Sequence, residues 1–156
     1  MKLSSKISAL IDALKVLPGI GPKSAKRMAL SLLSSNKDTA LSLSKSIEEA
    51  VLNIKFCSKC FVLNDQEICE ICRSPERRND SICVVESTSD LYSIEETSEF
   101  KGKYFVLNGL LSPIDNIGAE ELNIGSLLEL IGEYDSKEII IALNSTLEGE
   151  ATSYFL

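Results

Sequence analysis

Apolar positions change their period once along this chain, near residue 80, and the change separates two kinds of predicted element. Before it, Ile7, Leu10, Ile11 and Leu14 recur at helical spacing and predict an amphipathic helix from about Ser5 to Val16, ended by Leu17-Pro18-Gly19. A second helix is predicted from Pro22 to about Leu33, with Ala25, Met28, Ala29 and Leu32 inward and Lys23, Lys26 and Arg27 on the opposite face. A third, from about Asp38 to Ile54, is expected to bury Leu43, Ile47, Ala50, Val51 and Ile54. After residue 80 the apolar residues come in short unbroken runs. Ile82 to Glu86, Tyr104 to Leu107 and Glu138 to Leu143 read as strands of the kind found in parallel sheets covered on both faces. Helical spacing predicts Ser89 to Thr97 with Leu91 and Ile94 inward, a helix near Gly125 to Glu133 after a loop holding Ser112-Pro113-Ile114-Asp115, and a helix starting near Glu148. The order β-α-β-α-β-α predicts an open α/β sheet.

Between these halves stand two Cys-x-x-Cys pairs, Cys57-Ser-Lys-Cys60 and Cys69-Glu-Ile-Cys72. Each pair can turn two thiolates toward one point, and four thiolates complete a tetrahedral Zn²⁺ shell with no open position for water, which makes the metal structural. The alternatives are two dithiol redox motifs or two disulfides, which expect a strand-to-helix context and a secreted chain respectively. Coordination energy would go into folding a segment too small to hold its own core. The chain therefore divides into a helical part (1–56), a four-cysteine zinc finger (57–80) and an α/β part (81–156).

Charge sharpens this division. The net charge of −7 conceals nine Lys or Arg against four Asp or Glu in residues 1–56, and three against fourteen in residues 81–156. A basic front and an acidic back suggest two partners, one polyanionic and one not. The absence of histidine removes His general bases, His-activated nucleophiles and His metal ligands. Cys83, inside an apolar run, reads as a buried inert thiol. Met1-Lys2-Leu3 looks like the charged start of a signal peptide, but Asp12 and Lys15 interrupt the apolar run and no cleavage site follows. No stretch reaches the roughly 20 apolar residues of a membrane span, so a cytoplasmic location is expected, where thiols stay reduced.

Leu17-Pro18-Gly19-Ile20-Gly21-Pro22-Lys23-Ser24-Ala25 resembles a helix-hairpin-helix motif. Its glycines let backbone N–H groups approach a phosphate, and the next helix presents its positive N-terminus to the same anion. Lys23 and Arg27, one turn apart, would add charge without reading base sequence. The same glycines also serve a tight interhelical turn whose hairpin packs against another subunit.

Ligands of open α/β sheets bind beyond the carboxyl ends of the strands, which brings Glu86, Asp90 and the Asn144 to Glu150 stretch together. This resembles the Toprim domain, whose catalytic members carry one glutamate on one strand and Asp-x-Asp before Glu-Gly-Glu on another. Glu86 matches the first, whereas Asn144 and Thr146 stand at the two aspartate positions, replacing hard anionic Mg²⁺ ligands with neutral groups. Glu148 and Glu150 leave room for a weak Mg²⁺ site, and equally suit a helix dipole.

The ordered set of helix-hairpin-helix, four zinc cysteines and a Toprim-like sheet resembles the RecR family of bacterial recombination mediators. Leu17 to Ala25, Val84-Val85-Glu86-Ser87, Leu111-Ser112-Pro113 and Glu148-Gly149-Glu150-Ala151-Thr152 carry the resemblance. It implies an α+β chain of several parts and no enzymatic activity. It implies a ring-shaped tetramer around duplex DNA that works with RecO, and in many bacteria RecF, to place RecA on single strands coated by single-strand binding protein. Lys23 and Arg27 would then face DNA, and Glu86, Asp90, Glu148 and Glu150 would lie at the surface for the protein partner. Chains of that family continue past this sequence's Tyr154-Phe155-Leu156, so a truncated sheet with an unpaired edge is expected. The competing reading is a metal-dependent Toprim nuclease or primase-like fragment holding Mg²⁺ on Glu86, Glu148 and Glu150. A third is a zinc-stapled interaction module that binds no nucleic acid.

Overall fold

The first helix starts where a side chain can satisfy its leading N–H groups. The Ser4 hydroxyl accepts from the Ile7 N–H at 3.4 Å, and α1 runs Ser5–Leu14. The computed structural model describes residues 3–35, 37–112 and 116–156; Met1-Lys2 and the 113–115 part of the predicted loop lie outside the described residues. A turn carrying Gly19 at φ +76° leads into α2 (Pro22–Ser35), and α3 spans Lys37–Asn53. These helices form one compact unit, Met1–Asn53; the second is Ile54–Leu156.

The helical unit has a thin core. Ala25 and Ala29 of α2 are fully buried, as their spacing predicts, and their small side chains let α1 approach closely. The expected inner face of α3 is not buried. No α3 side chain is; Ile47 is 57% and Val51 76% exposed. Periodicity correctly reports that this helix has an apolar face, but within this unit its main neighbour is α2, and most of that face stays exposed.

The second unit opens with a small antiparallel pair, β1 (Lys55–Phe56) and β2 (Leu63–Asn64), and a single helical turn, α4 (Glu70–Arg73), which together carry the four cysteines. Then come β3 (Ser81–Val85), α5 (Thr88–Glu96), β4 (Lys103–Val106), α6 (Ile124–Tyr134), β5 (Glu138–Ala142) and α7 (Leu147–Phe155), the predicted alternation. The three long strands form a parallel sheet in the order β4-β3-β5. The central strand β3 and its neighbour β4 are buried throughout. Alternate residues sort to two faces: Ile82, Val84 and Phe105 lie against α6, while Cys83, Val85, Tyr104 and Val106 share a core with Leu91 of α5 and with the zinc-type cysteines.

The two edges of the sheet differ. On the β4 side the cysteine knuckle covers the edge, and the Val106 N–H donates to the Cys60 carbonyl at 2.8 Å. On the β5 side no strand is paired among the described residues, and Ile139, Ile140 and Ile141 are each 38% exposed. No helix of the described residues is long and apolar enough to cross a membrane.

Candidate functional site

Three places hold the residues singled out above. The first is the knuckle. Cys57 and Cys60 flank one tight turn, Cys69 caps the start of α4, and Cys72 lies within it. Their sulfurs all lie within 4.8 Å of one another, with Cys60 and Cys69 at 3.6 Å. Zn–S bonds of about 2.3 Å in a tetrahedron put sulfurs about 3.8 Å apart, so the four-cysteine set fits Zn²⁺. Backbone N–H groups already point at the sulfurs: Cys69 N–H to Cys57 at 3.3 Å and Cys72 N–H to Cys69 at 3.5 Å. Hydrogen bonds among the sulfurs pull the Cys57 thiol far down, led by that from Cys60, and push Cys60 far up, led by that with Cys57. A divalent cation removes that conflict by favouring four thiolates together. The zinc is structural, because the shell is complete without water. Cys83 is apart from it in the sheet core, its thiol pushed up to about 11 by burial.

The second place is the switch point of the sheet. The chain leaves β3 toward β4 on one side and returns as β5 on the other, so the crevice between the ends of β3 and β5 is the expected ligand position. Glu86 follows β3 there, and the Asn144 side-chain amide donates to its Oε2 at 2.9 Å. Thr146 caps α7, its hydroxyl accepting from the Gly149 N–H at 3.0 Å. The two positions held by aspartates in catalytic Toprim domains are therefore used for local structure. Glu86, Asn144, Thr146 and Glu148 line one groove of about 430 Å³, whereas Glu150 lines a different one beside Tyr154. Asp90 is engaged in a capping box at the start of α5, its Oδ2 accepting from the Ser87 N–H at 3.0 Å and the Ser87 hydroxyl at 2.6 Å. Among the described residues the four cysteines form the only converging group of three or more His, Cys, Asp or Glu side chains.

The Glu-Gly-Glu-Ala-Thr phrase has a structural basis. A Cβ on Gly149 would overlap the Asn144 carbonyl, so only glycine lets α7 pass. The buried Thr152 hydroxyl accepts from the Leu111 N–H at 2.9 Å and donates to the Glu148 carbonyl at 2.6 Å, tying α7 to the segment after β4.

The third place is the hairpin of the helical unit. Lys23 and Arg27 are exposed on α2, directly after the Gly19 turn, and neither has an ion-pair partner among the described residues. A Cβ on Gly21 would meet nothing within 4 Å, so packing within this chain does not require glycine there. Arg27 also borders an apolar groove of about 490 Å³ formed by Leu14, Leu17, Ile20, Met28 and Leu32.

Several residues escaped sequence reasoning. Lys103, at the head of β4, is 2% exposed, although an isolated lysine before an apolar run reads as solvated. Arg77, which follows the knuckle, binds Glu95 of α5 through both guanidinium ends and donates to the Phe100 and Gly102 carbonyls. Asn144 was legible as a lost metal ligand, but its bond to Glu86 was not.

Known proteins agree with this layout. Residues 7–51 match the family model described as RecR, helix-hairpin-helix; residues 54–74 match the RecR zinc finger domain of four cysteines; residues 80–156 match Toprim domain. The Recombination protein RecR of Acinetobacter baylyi is 44% identical over 153 residues, covering 98% of this chain and 77% of that protein. The Recombination protein RecR of Francisella philomiragia subsp. philomiragia is 45% identical over 153 residues, covering 98% and 76%.

Proposed function

This chain belongs to the RecR family of recombination proteins, and on that premise we propose that it is a non-catalytic, DNA-binding clamp subunit. In this reading it acts in the cytoplasm with RecO, and with RecF where present, to help place RecA on single strands coated by single-strand binding protein. The observation that carries the DNA contact is the pairing of exposed Lys23 and Arg27, one turn apart, with the open backbone at Gly21. Such a contact takes duplex DNA and single-strand/duplex junctions without preference for sequence.

Self-association follows from the same unit. A helix with no buried side chain derives little stability from its own chain, so the apolar face of α3 is covered by a second copy. The acidic end of the sheet serves the protein partner. Glu86, Glu148 and Glu150 offer carboxylates there, while Asp90 holds the start of α5 in place beside them. The non-catalytic reading is supported by Asn144, whose amide answers the Glu86 carboxylate where a cation would otherwise be needed. No observation favours the nuclease or primase reading.

The test is a Lys23→Glu plus Arg27→Glu variant titrated with duplex DNA at several salt concentrations. Affinity should fall at least tenfold at low salt. The slope of log affinity against log salt should flatten by about one for each phosphate that the variant no longer neutralises. Unchanged affinity and slope would remove DNA binding from this face and leave the zinc-stapled interaction module as the better description.

A further inference from the structure

The knuckle is not held by its cysteines alone. Lys103 Nζ donates to the carbonyls of Ile71 at 2.9 Å, Cys72 at 3.1 Å and Ser74 at 3.0 Å, which uses all three ammonium protons on the backbone that carries Cys72. The hydrogen bonds are complete, yet the charge has no carboxylate partner among the described residues. A buried lysine in this position is costly unless a negative group stands close.

Tyr134, the last residue of α6, adds a second anomaly. Its ring lies between two ammonium groups, Lys59 Nζ at 5.4 Å and Lys103 Nζ at 5.8 Å from the ring centre. Lys59, from within the Cys57-Ser-Lys-Cys60 turn, also pairs with Glu133 beside it. The Tyr134 hydroxyl is buried and makes no hydrogen bond among the described residues. A buried orphan hydroxyl calls for an acceptor, and a thiolate sulfur is one that a protonated thiol replaces poorly.

Both anomalies disappear when the four cysteines are thiolates around Zn²⁺. Such a group carries a net charge of about −2, and the Lys103 ammonium is held on the backbone that carries Cys72 to offset it. We propose that Lys103 and Tyr134 are positioning residues of the zinc centre: the ammonium, fixed on the backbone around Cys72, offsets the charge of the tetrathiolate group, and the buried phenol donates to a sulfur of that group. The sheet, through the head of β4 and the end of α6, thus holds the metal ligands from outside the finger. This goes beyond the recombination role and does not rest on it.

Tyr134→Phe decides the matter, because it removes one buried oxygen that has no partner among the described residues and leaves the ring in place. The full zinc-loaded chain is mixed with a chromophoric chelator to measure zinc affinity. The cobalt-substituted chain is examined for its thiolate-to-metal charge-transfer band. Losing an outer hydrogen bond should weaken zinc binding about 10-fold or more, and the charge-transfer band should move to lower energy as the thiolate becomes more electron-rich. Lys103→Met should weaken zinc binding further and Lys103→Arg should restore part of it. If Lys103→Met does not fold, Tyr134→Phe stands alone as the test. A Tyr134→Phe chain that keeps zinc as tightly, with its cobalt band unmoved, overturns the proposal.

Discussion

Asn144 shows how one side chain can close a site that the backbone still outlines. Its amide N–H sits 2.9 Å from the Glu86 carboxylate, so an oxyanion that would otherwise ask for a cation is answered by a neutral donor. Replacing the amide with a second carboxylate, Asn144→Asp, sets two like charges together and should cost on the order of 1 kcal/mol in this partly exposed crevice. Added Mg²⁺ or Mn²⁺ should return that stability to the variant and leave the parent unchanged, which thermal melts with and without the ion would show. A variant indifferent to the ion would mean that the crevice has lost more than its aspartates. Two glycines make a contrasting pair. Gly149→Ala must push α7 off the Asn144 carbonyl and should cost about 2–3 kcal/mol by denaturant titration. Gly21→Ala meets open space and should stay within about 0.5 kcal/mol of the parent, so any loss of DNA affinity in it reports on the ligand rather than on folding.

Among the elements, the strands and helices of the second unit were legible because their signals are local. Unbroken apolar runs gave β3, β4 and β5, and Ser87 with Asp90 three residues later is a capping signature before α5. The knuckle's second task was not legible, since nothing in a cysteine spacing says which edge a finger will cover. Here it covers β4, and the cysteines share a core with Val85, Tyr104 and Val106. The Arg77 pairing was not legible for the same reason: its partner Glu95 lies eighteen residues away on α5. Tyr104 completes the clamp, its hydroxyl donating to Glu95 at 2.7 Å. Burial alone would raise the Glu95 carboxyl, but the bonds from Arg77 and Tyr104 and the attraction of the guanidinium outweigh it and hold its pKa below the usual range. The contribution is therefore fully present above the unfolded value of about 4.3 and lost as pH falls through the lower folded value. Melts of the parent should lose stability across that acid window. Glu95→Gln should be less stable near neutrality by on the order of 2 kcal/mol, and should lack that part of the acid loss. An acid profile identical in both chains would show that the clamp contributes nothing through its charge.

For the whole molecule, the division of charge found in the sequence coincides with a division into compact units: Met1–Asn53 carries a net positive charge and Ile54–Leu156 a net negative one. Each unit also leaves apolar surface uncovered, α3 in the first and the β5 edge in the second. The β5 edge was anticipated from the sequence. The bare face of α3 was not, because periodicity shows that a helix has an apolar side without showing whether its own chain supplies the cover. If a second copy covers α3, light scattering of the purified chain should give at least a dimer, and Ile47→Glu plus Val51→Glu should give a monomer with an unchanged circular dichroism spectrum. The consequence for DNA is quantitative. Two linked sets of Lys23 and Arg27 bind one duplex with an avidity that a single set lacks, so the monomeric variant should lose DNA affinity about 10-fold or more although neither basic residue has changed. A parent chain that is monomeric at every concentration would place the face of α3 outside self-association. A monomeric variant that binds DNA as tightly as its parent would show that each chain holds the duplex on its own, and the clamp reading would lose its main support.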